Sequence, residues 1–520
     1  MLLTFIALYL LGSVAIGLYA ARRVKTTADY AVAGRSLPLA VVIATIFATW
    51  FGSETVLGVS AKFVQGGLGS VVEDPVGASM CLILVGLFFA YKLYQKNLIT
   101  IGAYYRQRYG RGVEIFCSLV IIVSYLGWVA AQITALGLVF NLLTQGAMST
   151  TTGVMMGTAI VLVYTLYGGM WSVAMTDFIQ MIVIALGLIA IAWYAAALAG
   201  GANKVIDYAV KQGRLQFFPI GGAKEWLVFA AAAMAMMLGS IPQQDIFQRV
   251  MSSKDVKTAV RGPVIGGILY FLFALIPMFV VMAAVLIMPE TTQSLLKDDP
   301  QKVLPTLVME RMPLFLQIAF FGALLSAIMS TASATLLGPS TTFVENVLRN
   351  IKPGMSDAAT LKAMRVSVLV FTGLVLSYAI TMQGMPIYEL VSSAYQITLV
   401  GAFVPLAFGL YWKRASTQGA VLSMVLGVAT WMLFIWATSW SEVFPAQLAG
   451  LLTALFGMVV GSLLPQMLGN TKGEVHHYAS SGLQKLNPEQ LAAVTLSATH
   501  ALILAGTDSY CTVTLPRVNE

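Results

Sequence analysis

Apolar residues in this chain gather into long blocks separated by short polar or charged segments, with no narrow stripe and no strict alternation. A helix needs about 20 consecutive apolar residues to cross a bilayer, more than a helix of a soluble core requires. The pattern predicts spans near 2–20, 37–62, 72–94, 113–143, 152–167, 171–199, 225–247, 263–288, 313–346, 362–382, 386–411, 417–438 and 445–467. The expectation is an all-α membrane protein of about thirteen transmembrane helices. An odd number puts the two termini on opposite sides.

Charge sets the orientation. Loops assigned to the cytoplasm in this alternation carry nineteen Lys and Arg, from Arg22 to Arg414 and including Arg249, against eight on the other side. That asymmetry predicts the N-terminus outside and the C-terminus inside. The block Leu2–Ala20 has no basic residue before it, and Arg22, Arg23 and Lys25 follow it. A secretory signal has the opposite polarity, so this block reads as a retained first span.

Two predicted spans are interrupted midway. The second contains Thr49-Trp50-Phe51-Gly52-Ser53-Glu54, and the seventh contains Gly239-Ser240-Ile241-Pro242-Gln243-Gln244-Asp245. Proline removes a backbone donor and crowds the preceding turn, and glycine loosens the helix. Each interrupted span opens a unit of five, so the second unit enters the membrane from the opposite side. Matched interruptions in two such halves mark an inverted-repeat transporter with its site near the midplane. The expected organisation is an extra helix and loop over 1–36, a first repeat over 37–199, a loop outside over 200–224 and a second repeat over 225–411. Two more helices fill 412–468, and 469–520 is a cytosolic tail, unstructured or weakly helical.

Composition agrees and narrows the chemistry. The chain of 520 residues is 58% hydrophobic and 10% charged, with a formal net charge of +8. The basic residues sit in loops between apolar blocks and form no contiguous face, so nucleic acid is not an expected partner. All three histidines, His476, His477 and His500, lie in the tail, which excludes a histidine proton relay inside the membrane. Cys81, Cys117 and Cys511 suggest neither a metal site nor a disulfide framework. Phosphate-loop, zinc-hydrolase and serine-elbow motifs are absent. The chain therefore reads as a non-enzyme without an organic cofactor, driven by an ion gradient, embedded in the lipid bilayer and working as a monomer on a small solute.

Polar groups inside a bilayer are costly and call for a function. In the ninth span Ala327, Ser330, Thr331 and Ala334 recur at helical spacing and share one face. Their small size permits close approach, and the two hydroxyls offer hard oxygen donors for sodium. Such hydroxyls equally suit helix packing or a bond to the carbonyl one turn back. Asp177 opens the sixth span and reads either as a cation vestibule or as an acid favoured by the helix dipole. Trp50 and Trp128 fall mid-span, where interfacial anchoring explains tryptophan poorly. With Gly52, Ser53, Glu54, Gln132, Gln243 and Gln244 they are the candidate lining of a substrate cavity. For Glu54 the alternative is an internal ion pair, and for the glutamines a helix cap. Gly153-x-x-x-Gly157, Gly262-x-x-x-Gly266 and Gly457-x-x-x-Gly461 read as packing faces.

The run from Tyr164 to Gln180, YTLYGGMWSVAMTDFIQ, resembles the signature of the sodium:solute symporter family. Gly34-Arg35-Ser36-Leu37 and Met329-Ser330-Thr331 agree with it in position. The resemblance extends over 1–467 and implies a leucine-transporter-type core of five plus five inverted helices, one extra span before it and two after. It implies a sodium ion held by carbonyls of Ala48, Phe51 and Ala327 and by hydroxyls of Ser330 and Thr331. It implies a second sodium, or an exit path, at Asp177 and Ser333, although Ala334 stands where a further hydroxyl is expected. Ala48-Thr49-Trp50, Leu82–Phe89 and Gly239–Ser253 are similar to the choline branch, whose aromatic cage Trp50 and Trp128 match, while Gln243 replaces a tryptophan. The expected function is sodium-coupled symport, by alternating access, of choline or another quaternary amine, an amino acid or a monocarboxylate. A proton-coupled symporter of the same fold and a solute sensor without net transport are the rivals.

Overall fold

The computed structural model describes residues 1–441 and 443–468 and two short segments of the tail. Among them ten helices are long and apolar enough to cross a membrane, or up to twelve if each of two bent pairs is one span. In chain order the main helices are α1 Leu2–Ala21, α2 Leu39–Trp50, α3 Glu54–Gly66, α4 Leu68–Tyr94, α5 Ile101–Tyr109, α6 Arg111–Leu143 and α7 Thr150–Leu198. They continue with α8 Ala223–Gly239, α9 Gln244–Ser252, α10 Val256–Ile287, α11 Leu314–Ile351, α12 Asp357–Thr381, α13 Ile387–Tyr411, α14 Thr417–Trp436 and α15 Ala446–Leu463.

The bent pairs are α2–α3 and α8–α9, which turn by 54° and 43°. The breaks fall where the two polar patches interrupt the apolar blocks. At the first, Phe51 leaves helical geometry with φ −87° and ψ 72°. At the second, Pro242 precedes an extended Gln243, φ −73° and ψ 141°. The pairs run in opposite directions. Leu37, just before α2, bonds to Ser252 at the end of α9, N to O 2.9 Å. At the far pole Leu68, just after α3, bonds to the carbonyl of Arg214, ahead of α8, at 2.8 Å.

α7 comprises two helical segments that meet at Gly169, between the spans expected over 152–167 and 171–199; its φ of 48° and ψ of −142° suit only glycine. A Cβ at Gly169 would meet the carbonyl oxygen and ring of Tyr30. The break frees carbonyls, and the Tyr30 hydroxyl donates to those of Thr165 and Leu166, each at 3.4 Å. The irregular backbone is thus covered by protein, and two of its carbonyls find a donor.

α11 is the central helix, buried without interruption from Phe320 to Thr342. It packs on α7, α6 and α2. α1 lies at the periphery against α7, and α14 and α15 pair with each other. The glycine pairs sit at close crossings: a Cβ at Gly153 would meet Gly137 of α6, one at Gly262 would meet Val42 of α2, and one at Gly457 would meet Leu422 of α14. In the tail the described segments, Ala501–Ala505 and Ser509–Val513, pair antiparallel with Ile503 opposite Cys511. That is a strand hairpin, not the coil or weak helix expected; the rest of 469–520 lies outside the described residues.

Candidate functional site

The first break brings α2, α3, α6, α7, α9 and α11 together around one group of polar side chains. Asp177 lies in α7 two turns beyond the Gly169 break, 0% exposed. The second segment of α7 begins after the Gly169 break, so Asp177 lies past its first turn, where the helix dipole acts only weakly. Its Oδ1 accepts from the Ser330 hydroxyl at 2.6 Å, and its Oδ2 accepts from the Thr45 hydroxyl. Arg249 Nη2 stands 3.9 Å from Oδ2. Arg249 also donates from Nε to the Thr45 carbonyl at 3.2 Å and from Nη1 to the Asp245 carbonyl at 2.8 Å.

Counting Arg249 among cytoplasmic loop charges was therefore wrong. It is a 1% exposed residue of α9, facing inward. Its Nε and Nη1 are hydrogen-bonded, and Nη2 makes no hydrogen bond but faces the Asp177 carboxylate; sequence position alone did not reveal these partners.

Next along α11, the Thr331 hydroxyl donates to the Ala48 carbonyl at 3.5 Å. That contact is long, and it sets two oxygens from facing helices beside the break. Because Ser330 gives its proton to Asp177, its oxygen lone pairs stay free. Ala327 lies one turn earlier on the same helix, fully buried. The Phe51 carbonyl belongs to the residue that leaves the α2 ladder. The Ser333 hydroxyl donates at 2.9 Å to the carbonyl of Ser330, the α11 residue that itself bonds to Asp177.

Glu54 begins α3 and is 1% exposed. Trp128 Nε1 donates to its Oε1 at 2.8 Å, and Gln132 Nε2 to its Oε2 at 2.6 Å. Gln132 Oε1 in turn accepts from the Ser53 backbone at 2.9 Å. The ion pair considered for Glu54 is not formed: both donors are neutral, and none of the described ion pairs includes it. Gly52 lies in the middle of this set. A Cβ there would come within 2.8 Å of Thr331 Oγ1 and 2.9 Å of Gln132 Oε1, and closer still to Glu54 Oε2. Oxygens from three helices thus converge on a position only glycine leaves open. Hard cations favour such carboxylate, amide, hydroxyl and carbonyl donors, so this donor set fits an alkali ion.

Beside the oxygens lies an aromatic group. Trp50 and Trp128 meet edge to face, centroids 5.7 Å apart, and Tyr395 of α13 contacts both at 6.3 and 5.5 Å. Tyr125 stacks on Trp128 at 6.0 Å. Asp245 closes the far side, accepting from Tyr125 at 2.6 Å and from Trp50 Nε1 at 3.1 Å. Gln243 reaches this side and donates to Ser124 at 2.9 Å, with its own oxygen left unpaired. Gln244 is turned away: it accepts from the Ile101 backbone at 2.9 Å and donates to the Ile99 carbonyl at 3.1 Å, bracing the start of α5.

Sequence reasoning missed Thr45, Tyr125, Tyr395 and the role of Asp245. The acid in the second interruption was visible; the tyrosines lie within predicted spans and belong to no motif of their own. Two cavities, of about 760 and 600 Å³, open at the pole of Lys62, which lines both with Tyr388 and Glu389. Trp50, Glu54, Trp128 and Ser330 line neither, and each is at most 1% exposed.

Comparison with known proteins gives three findings. A sequence model of the sodium:solute symporter family matches residues 30–427. The human high affinity choline transporter 1 is 28% identical over 82% of this chain and 75% of its own length, and the Vibrio parahaemolyticus sodium/glucose cotransporter is 25% identical over 87% and 88%. The fold is that of a Na+-coupled sialic acid symporter solved substrate-bound and outward-open, with a TM-score of 0.75, 18% identity and coverage of 89% and 97%. A nucleobase-cation-symport-1 family transporter in a closed conformation gives 0.55 at 15% identity, over 83% and 93%.

Proposed function

The chain belongs to the sodium:solute symporter family and is a multi-pass protein of the cell membrane, and on that premise we propose that it couples sodium to the uptake of a small organic cation. The observation that carries the reading is Glu54: a buried carboxylate held only by neutral donors, at the edge of the Trp50, Trp128 and Tyr395 rings. A lone carboxylate inside a membrane protein calls for a cation. Aromatic faces attract ammonium groups, and more so when desolvated. The named activity of the choline transporters at 26–28% identity supports the same class. Gln243, in place of a cage tryptophan, suits a head group that takes a hydrogen bond.

Sodium in this reading sits between the break and α11, on carbonyls of Ala48, Phe51 and Ala327 and hydroxyls of Ser330 and Thr331. Asp177 acts on it as a positioning residue, taking the Ser330 proton so that the oxygen faces the ion. Arg249 already occupies the Asp177 carboxylate, which disfavours a second sodium there. Thirteen spans follow if each bent pair and the shorter apolar helix Thr150–Val163 are counted once, with the Lys62 pole outside. The repeats over 37–199 and 225–411 then rock about the two breaks to open the site to one side at a time. Sodium joins α2 to α11, so it favours one arrangement; solute binding to that arrangement is strengthened in turn.

In purified protein, choline binding is expected to tighten in sodium over potassium buffer. Ser330→Ala or Thr331→Ala is expected to raise half-saturating sodium by about tenfold or more, the loss of one hydroxyl ligand to a charge. Unchanged sodium dependence in both variants would move the ion elsewhere. Glu54→Gln keeps shape and removes charge. It is expected to weaken quaternary-amine binding by about thirtyfold or more while sodium-induced stabilisation persists. Equal binding of choline by Glu54→Gln, or preferential binding of carboxylates by the wild type, would sink the cationic reading.

A further inference from the structure

The buried centre holds more negative charge than the proposed cargo neutralises. Glu54, Asp74, Asp177 and Asp245 are each 2% exposed or less, and Arg249 is the cation buried among them in the described residues. On the reading above, one sodium and one organic cation join Arg249, giving three positive charges against four carboxylates. Arg249 lies by Asp177 and Asp245, and the cargo by Glu54. Asp74 is left over.

Its surroundings single it out. Asp74 lies in α4, and its Oδ1 accepts from the Tyr270 hydroxyl of α10, while its Oδ2 makes no hydrogen bond. Tyr270 is 2.9 Å from the Thr55 hydroxyl, which reaches the Trp50 carbonyl at 3.4 Å, at the break itself. Neighbouring Val72 and Glu73 line the 760 Å³ cavity, with Lys62 and Tyr388. The charged and titratable groups around Asp74 are Glu54 of α3, Glu73 of its own helix, Tyr270 of α10 and Tyr388 and Tyr395 of α13, with Lys62 beyond, 5.4 Å from the Tyr388 ring. None of the groups directly beside it is a cation. A buried carboxylate in that state costs several kcal/mol, whereas one unpaired neutral hydroxyl costs about 1–3 kcal/mol.

We propose that Asp74 is a proton-binding site: Oδ2 takes a proton from a solvent hydronium ion that reaches it by way of the cavity lined by Glu73, leaving water, and that proton is linked to cation binding at the break. Protonation converts the carboxylate to the neutral acid, with Tyr270 still donating to Oδ1. Sodium and the proton answer the same excess of negative charge, so each weakens the other.

The test uses the full-length protein in lipid nanodiscs. Infrared difference spectra are expected to show a protonated-carboxyl C=O band that shifts in D2O, disappears in Asp74→Asn and persists in Glu54→Gln; Asp74→Glu moves it, should the asparagine variant fold poorly. Titration with sodium alone is expected to show binding tightening by about fivefold or more from acid to alkaline buffer. In Asp74→Asn sodium binding becomes independent of pH. A band absent from the wild type, a band kept in Asp74→Asn, or an unchanged pH dependence in that variant overturns the proposal. Loss of the band in Glu54→Gln alone places the proton on Glu54 and overturns it too. Wild type that binds no sodium at any pH defeats the symport reading, with the infrared result still deciding Asp74.

Discussion

Arg249→Met is expected to lower stability by about 3–5 kcal/mol, read as a fall in the melting temperature of the purified protein. The side chain fills similar space, so the loss is electrostatic rather than steric. Asp177 then stands buried with two hydroxyl donors and no cation, and the carbonyls of Thr45 and Asp245 lose their donors. Two further variants separate these terms. Arg249→Met with Asp177→Asn removes both charges and is expected to recover part of the loss, a non-additive result for groups in one network. Arg249→Lys keeps the charge but cannot reach Thr45, Asp245 and Asp177 together, and falls between. A methionine variant that melts with the wild type would show that Asp177 draws no stabilisation from the guanidinium.

The arrangement gives such a pair a purpose next to the proposed ion site. A hydroxyl can ligate a cation well only if its own proton points elsewhere. Asp177 gives the Ser330 hydroxyl a fixed acceptor at 2.6 Å, and the guanidinium of Arg249, 3.9 Å away, favours its charged form. The proposed ion site would thereby be preorganised by residues that need never touch the ion.

Much of this was legible in the chain. Spans are long apolar blocks because the bilayer imposes one length, and both breaks were marked because proline and glycine act locally. The Ser330–Thr331 face followed from helical spacing. Other features depend on partners distant in sequence. Arg249 reads as a loop charge because nothing nearby reveals Asp177. Gln244 reads like Gln243, yet it turns to the backbone of Ile99 and Ile101. Tyr395 lies among Ser392, Ser393, Gln396 and Thr398 with no motif to mark it, and only the fold brings it against Trp50 and Trp128. In α7 the Gly168-Gly169 gap was a readable local signal and two segments do meet at Gly169; the cap on that break, the distant Tyr30 hydroxyl, was not readable.

Gly52→Ala is expected to weaken both halves of the proposed activity at once. Gly52 has no positive φ, so alanine meets no backbone penalty there, and the effect is one of space. The added methyl would stand 2.8 Å from Thr331 Oγ1 and 2.9 Å from Gln132 Oε1, against the Glu54 carboxylate. Carbon–oxygen contacts that short force the oxygens apart, and overpacking a rigid site costs about 1–3 kcal/mol. Thr331 is the proposed sodium ligand and Glu54 the proposed counter-charge, so half-saturating sodium and choline concentrations should rise together, by about a hundredfold. Gly12→Ala, with nothing within 4 Å of the new carbon, is the control and should behave as wild type. A Gly52→Ala protein that loses choline binding but keeps its sodium affinity would separate the two sites and move the ion away from Thr331. One that keeps both would mean that the oxygens around Gly52 hold no cation, and the physical basis for sodium coupling at this break would fall with them.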